Sequence, residues 1–146
     1  MNVFEALRED HDIQRKLLEL LAETTGDEES RRQGFKALKT ELTGHAAAEE
    51  QCFYAHLMQH EQTQDKARHS VAEHHDIDEC LEKLEETDYS SPEWLKSLKE
   101  LQHLVTHHLD EEEQEVFQMA GKVLTDKQKS DLAGQYRQEM RKRRNE

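Results

Sequence analysis

Apolar residues in this chain fall into thin stripes that step by three and four. Leu7, His11, Gln14, Leu18 and Leu21 form one, and Phe35, Leu38, Leu42, His45, Glu49, Cys52 and His56 a second. Val71, His74, Ile77, Leu81 and Leu84 form a third, and Leu98, Leu101, Val105, His108, Glu112, Val116 and Met119 a fourth. That period belongs to amphipathic helices with one inward face, and almost no alternating strand pattern competes with it. Turn chemistry separates the stripes. The first helix is expected over about Val3 to Glu23, stopped by Thr24-Thr-Gly26, whose glycine suits a left-handed cap. The second is expected from near Ser30, where Ser30 and Gln33 have capping-box spacing, to about Gln59. The third covers roughly Thr63 to Glu86. The fourth opens at Ser90-Ser-Pro-Glu93, with Pro92 in its first turn, and runs to about Ala120. Thr125 and Gln128 again have capping-box spacing and introduce a fifth helix with Leu132, Tyr136 and Met140 on one side. The expected class is all-α: an up-down-up-down four-helix bundle over residues 1–122, with a C-terminal helix and basic tail over 123–146.

Each of the first four stripes carries a histidine. His11, His45, His74 and His108 are separated by 34, 29 and 34 residues, close to the roughly thirty residues that a bundle helix and its loop consume. In an antiparallel hairpin, two residues at one height are equidistant from the loop. The midpoint of His11 and His45 is residue 28, within Thr24–Ser30, and that of His74 and His108 is residue 91, within Asp88–Pro92. For His45 and His74 it is 59 to 60, beside the polar stretch His60–Asp65. The four imidazoles therefore fall at one level.

Two of them have a glutamate one turn on, His45/Glu49 and His108/Glu112, on the same helical face. A lone pair of this kind is usually a surface hydrogen bond. Here both pairs sit on apolar stripes, and buried imidazole and carboxylate must be paired or must bind metal. Four imidazoles and two carboxylates are too many for one tetrahedral zinc and too rich in nitrogen for magnesium or calcium. They suit two transition-metal ions, each with two histidines, sharing Glu49 and Glu112 as bridges. A solvent-derived oxo or hydroxo bridge leaves one octahedral position open on each ion. Iron fits this set, with manganese or zinc as alternatives. His74 is preferred to His75 because it continues its stripe, with His75 as a supporting neighbour. His108 is preferred to His107. His56 and His60 read as partly buried histidines near the end of the bundle, His69 and His103 as surface groups.

Composition adjusts this picture little. Only 34% of the 146 residues are hydrophobic and 36% are charged, which fits narrow stripes with solvated outer faces; bound metal would then contribute directly to stability. A net charge of −13 argues against nucleic-acid or anionic-membrane partners. The exception is Arg141-Lys-Arg-Arg144, read as a solvated helix end before a docking site. No signal peptide or membrane-spanning run is visible, so a cytoplasmic protein is expected. Cys52 and Cys80, roughly 20 Å apart at 1.5 Å rise per residue, read as buried free thiols.

The motifs Asp10-His11, His45-Ala-Ala-Ala-Glu49, Glu73-His74 and His108-Leu-Asp-Glu-Glu112, in order over about residues 3 to 120, resemble the hemerythrin-like, or HHE cation-binding, family. The resemblance implies a four-helix bundle around a non-heme di-iron centre that binds dioxygen or another small diatomic or peroxide. It also marks two departures. Oxygen-carrying members have a second histidine one turn after the third-helix ligand, where this chain has Asp78, or Glu79 if His75 is the ligand. Their fourth-helix carboxylate lies five residues after its histidine, at Glu113 here; Glu112 is chosen because it mirrors Glu49. A more open centre favours sensing or redox chemistry over simple oxygen carriage, and the first expectation is a sensor or scavenger. The alternatives are a redox enzyme acting on peroxide or nitric oxide, or in iron-sulfur repair, served by an electron donor, and an iron-responsive module presenting its fifth helix to a protein partner. A homodimer is left open.

Overall fold

The computed structural model describes residues 1–145. Helix α1 spans Val3–Ala22, its first turn closed by a reciprocal bond pair between Asn2 and Glu5. Helix α2 covers residues 29–57 and is continuous but not uniform: α-helical over Glu29–Glu49, π-helical over Glu50–Tyr54, and α-helical again over Ala55–Leu57. Helix α3 is Gln64–Glu86. Helix α4 covers residues 92–123, with a second π turn over Glu112–Val116 between Pro92–Glu111 and Phe117–Val123. Helix α5 is Asp126–Arg144, opened by the expected capping box of Thr125 and Gln128. The first four make the up-down-up-down bundle, and α5 lies against α1 and α2.

Local chemistry sets the ends. Gly26 adopts the left-handed φ of 55° that lets the chain turn after α1. Ser91 caps α4 by accepting from Glu93 N–H, with Pro92 in the first turn. The expected capping box at Ser30 does not form: α2 starts at Glu29, its cap Glu28 makes no side-chain cap bond, and the Gln33 amide donates to Glu29 instead. The buried Arg31 guanidinium pins that end, donating to the Thr24 and Tyr89 carbonyls and lying 4.6 Å over the Trp94 ring.

The core is two apolar clusters with a polar layer between them. One gathers Leu18, Leu21, Phe35, Leu38, Leu81, Leu84, Trp94 and Leu98 at the end that holds the α1–α2 and α3–α4 loops. The other gathers Val3, Leu7, Phe53, Leu57, Phe117, Leu132 and Met140 at the opposite end, where α5 docks. The second cluster differs from the extrapolated stripes. Past Glu49 the buried residues are Phe53, Tyr54 and Leu57, while Cys52 and His56 are half-buried; past Glu112 the expected Val116 is buried, but so are Phe117 and Ala120, and Met119 is not. The cause is the π turns. Ala55 N–H reaches back five residues to the Glu50 carbonyl, and Phe117 N–H to that of Glu112, so each helix gains one residue and its face rotates. Cys52 and Cys80 are both free thiols, half-buried where burial was expected.

Candidate metal centre

The polar layer holds His11, His45, Glu49, His74, His108 and Glu112, all at most 5% exposed. Four helices deliver them to one level, as the equal loop distances require. One carboxylate oxygen or ring nitrogen from each of His11, His45, Glu49 and Glu112 lies within 4.8 Å of the others; the same holds for Glu49, His74, His108 and Glu112. The two groups share both glutamates. His74 Nε2 is 3.1 Å and His45 Nε2 3.5 Å from Glu49 Oε1. His11 Nε2 is 3.2 Å from Glu112 Oε1, and His108 Nε2 3.6 Å from Glu112 Oε2. Paired imidazoles lie side by side, with ring centroids 5.1 Å apart for His11 and His45 and 4.8 Å for His74 and His108.

The other ring nitrogen of each histidine is tied off outside the cluster. His11 Nδ1 is 2.7 Å from Glu113 Oε2, His74 Nδ1 2.9 Å from Glu50 Oε2, and His108 Nδ1 2.8 Å from Glu73 Oε1. His45 Nδ1 is 2.5 Å from the hydroxyl of Tyr136, which itself donates to Asp10 Oδ2 at 2.6 Å. Carboxylates only accept, and a hydroxyl already donating to one must accept from the ring. Every Nδ1 therefore carries a proton and donates, and every neutral ring turns the lone pair of Nε2 inward.

All four Nε2 atoms, both Glu49 oxygens and Glu112 Oε1 are buried without a hydrogen-bond partner. Orphaned buried acceptors facing each other are costly unless a cation sits among them. Electrostatics point the same way. Burial works to lower His11 and His74, yet the surrounding glutamates raise them to about 9 and about 10. Burial and the charge of Glu49 raise Glu112, while Glu49, despite its own burial, is held well below the usual carboxylate range by His45 and its hydrogen-bonding neighbours. The surrounding glutamates therefore favour positive charge at these imidazoles.

Several supporting residues were not foreseen. Tyr54, at the end of the first π turn, donates to Glu112 Oε2, and the Phe117 ring stacks near-parallel on His11 at 5.9 Å. Both are the aromatics nine positions after a site histidine, a spacing visible in the sequence. Glu113, the alternative to Glu112, supports His11 from outside and is gripped by Arg15 at 3.1 and 3.2 Å. Against burial, His11 and Arg15 lower its carboxyl to about 2. His75 does not support the cluster: it is exposed and pairs with Glu79 at 3.0 Å. Nor is the basic end wholly solvated, because Arg144 donates to Asp10 and to Glu41.

A four-helix bundle closed around shared buried carboxylates and imidazoles defines a cation-binding helical protein. The chain belongs to the hemerythrin HHE cation-binding domain family, whose model matches residues 2–120. It is similar to the crystal structure of a hemerythrin HHE cation-binding domain-containing protein from Mycobacterium kansasii, an Rv2633c homolog. The two share 25% identity and a TM-score of 0.90 over 99% of this chain and 88% of that one. No curated protein matches it in sequence. None of its described helices is long and apolar enough to cross a membrane.

Proposed function

We propose that this chain is a non-heme di-iron protein that binds dioxygen or a related small oxidant as a sensor or scavenger. His11 and His45 would hold one ion and His74 and His108 the other, with Glu49 and Glu112 available to both. When bound, such an iron pair supplies electrons to a small oxidant. The observation that carries the reading is the set of four unpartnered Nε2 lone pairs aimed at two shared carboxylates. Manganese or zinc would satisfy the same donors; iron is preferred because mixed imidazole and carboxylate ligation with open positions suits it.

The chain's own residues fix the rest. The outer carboxylates and Tyr136 lock the ring tautomers and raise the basicity of the imidazoles. Tyr54 steadies Glu112. Full burial of Glu49 restricts the visitor to a very small molecule. A surface groove of about 450 Å³ between α2 and α3, lined in part by Ala46, Ala47, Glu50 and Asp78, leads toward the outer partner of His74 and is the proposed approach. Turnover of peroxide or nitric oxide would need an outside electron donor.

Metal analysis with an optical spectrum tests the proposal. Two irons per chain are expected, with His45→Ala and His74→Ala each losing at least one. The ferrous protein exposed to air should give a persistent adduct for a sensor, or fast irreversible oxidation for a redox enzyme. A stoichiometry well below two irons with the helical fold intact would overturn the di-iron reading.

A further inference from the structure

The His-x-x-x-Glu spacing of the buried centre occurs again on the outside of the bundle. His69 and Glu73 lie one turn apart on α3, and His107 and Glu111 one turn apart on the neighbouring α4. The two pairs meet. His69 Nε2 is 3.5 Å from Glu73 Oε2 and 3.2 Å from Glu111 Oε1. His107 Nε2 is 3.1 Å from Glu111 Oε2 and 3.9 Å from Glu73 Oε2. Both imidazoles are more than half exposed, at 55% and 64%, whereas the carboxylates are mostly covered, at 17% and 21%.

We infer that His69, Glu73 and Glu111 form the core of a second, surface metal site for a divalent first-row transition-metal ion, with His107 beside it on Glu111. One imidazole nitrogen and two carboxylate oxygens, each within 4.8 Å of the others, suit such an ion and leave positions for solvent. With bonds of about 2.0–2.2 Å, donors around one ion stand roughly 3–3.5 Å apart, the range that both His69 contacts, at 3.5 and 3.2 Å, already occupy. Among the described residues, no lysine or arginine pairs with Glu73 or Glu111, so two converging carboxylates have only imidazoles for partners. His75 and Glu79 provide the contrast: the same spacing at 3.0 Å, with no second helix adding donors. Glu73 also joins the two places, since its Oε1 holds His108 Nδ1 while its Oε2 faces the outer group.

The test is calorimetric titration of the full chain with Co²⁺, comparing wild type with the double variant His69→Ala/His107→Ala. Both removed side chains are exposed and neither belongs to the buried centre; Glu73 is kept so that His108 keeps its support. Wild type is expected to bind one more Co²⁺ per chain than the variant, with helical content equal in the two. Equal stoichiometry would overturn the outer site. The result separates from the di-iron proposal: an extra equivalent lost in the variant supports the outer site even if the buried centre takes no metal.

Discussion

The ring state of His45 is decided by Tyr136, a residue 91 positions away on a helix that carries none of the six clustered groups. Tyr136 is fully buried, and burial together with Asp10 raises its hydroxyl far above the ordinary phenol range, so it acts only as a neutral relay. Asp10 is in turn held by Arg144, and Arg144 by Glu41, which extends the chain of contacts to the surface. Tyr136→Phe keeps the ring and its packing but leaves the His45 Nδ1–H and Asp10 Oδ2 without this partner. The expected loss is about 1–2 kcal/mol of stability and roughly 10- to 100-fold in metal affinity. Chelator competition reads the second, and unchanged competition would mean that His45 is oriented without Tyr136. None of this was visible in the sequence. The i,i+4 pairs were, because helical spacing alone sets them on one face. The partners of Nδ1 come from sites such as Glu113, 102 residues from His11, and nothing local links them.

Helical phase was equally legible up to Glu49 and Glu112; it failed at once after Glu49, and after Glu112 it held at Val116 and failed at Met119. A single extra residue cannot be read from apolar spacing, because Cys52 and His56 suit an inward face nearly as well as Phe53 and Leu57. The π turns cost regular hydrogen bonding, and such turns often persist at functional sites. Here the first carries Glu50, which supports His74, at one end and Tyr54, which donates to Glu112, at the other. Deleting the exposed Gln51 removes the extra residue and leaves the downstream face in register. The deletion is expected to keep helical content, hold or raise the melting temperature of metal-free protein, and weaken metal binding at least tenfold. Undiminished metal affinity would show that the π turn plays no part in shaping the cluster. The capping boxes show the same limit of local reading: the Thr125 box forms, whereas the Ser30 box loses to a cap two residues earlier at Glu28, pinned by Arg31 against Thr24 and Tyr89.

At the scale of the molecule, two apolar clusters are joined through a buried layer whose glutamates favour positive charge on the imidazoles among them. His11 and His74 have folded values of about 9 and about 10, above the ordinary 6.5, so their contribution is complete below about 6.5 and is lost as pH rises through 9 and 10. Glu112, also raised, acts in the same direction. Glu49 and Glu113 are lowered, so their contribution exists above about 4.5 and disappears as pH falls, for Glu113 through about 2. Metal-free protein should therefore melt highest between about pH 4.5 and 6.5 and lose stability steadily toward pH 10. Bound metal replaces the protons, so the loaded protein should lose that alkaline decline. Its melting temperature at pH 8 should exceed that of the metal-free form, rising with free metal by RT ln(1 + [L]/Kd). Melting curves across pH, with and without a chelator, measure both slopes. Parallel curves, with metal-free protein no more sensitive to alkali than loaded protein, would mean that the layer is held by its hydrogen bonds alone and that no cation belongs to it.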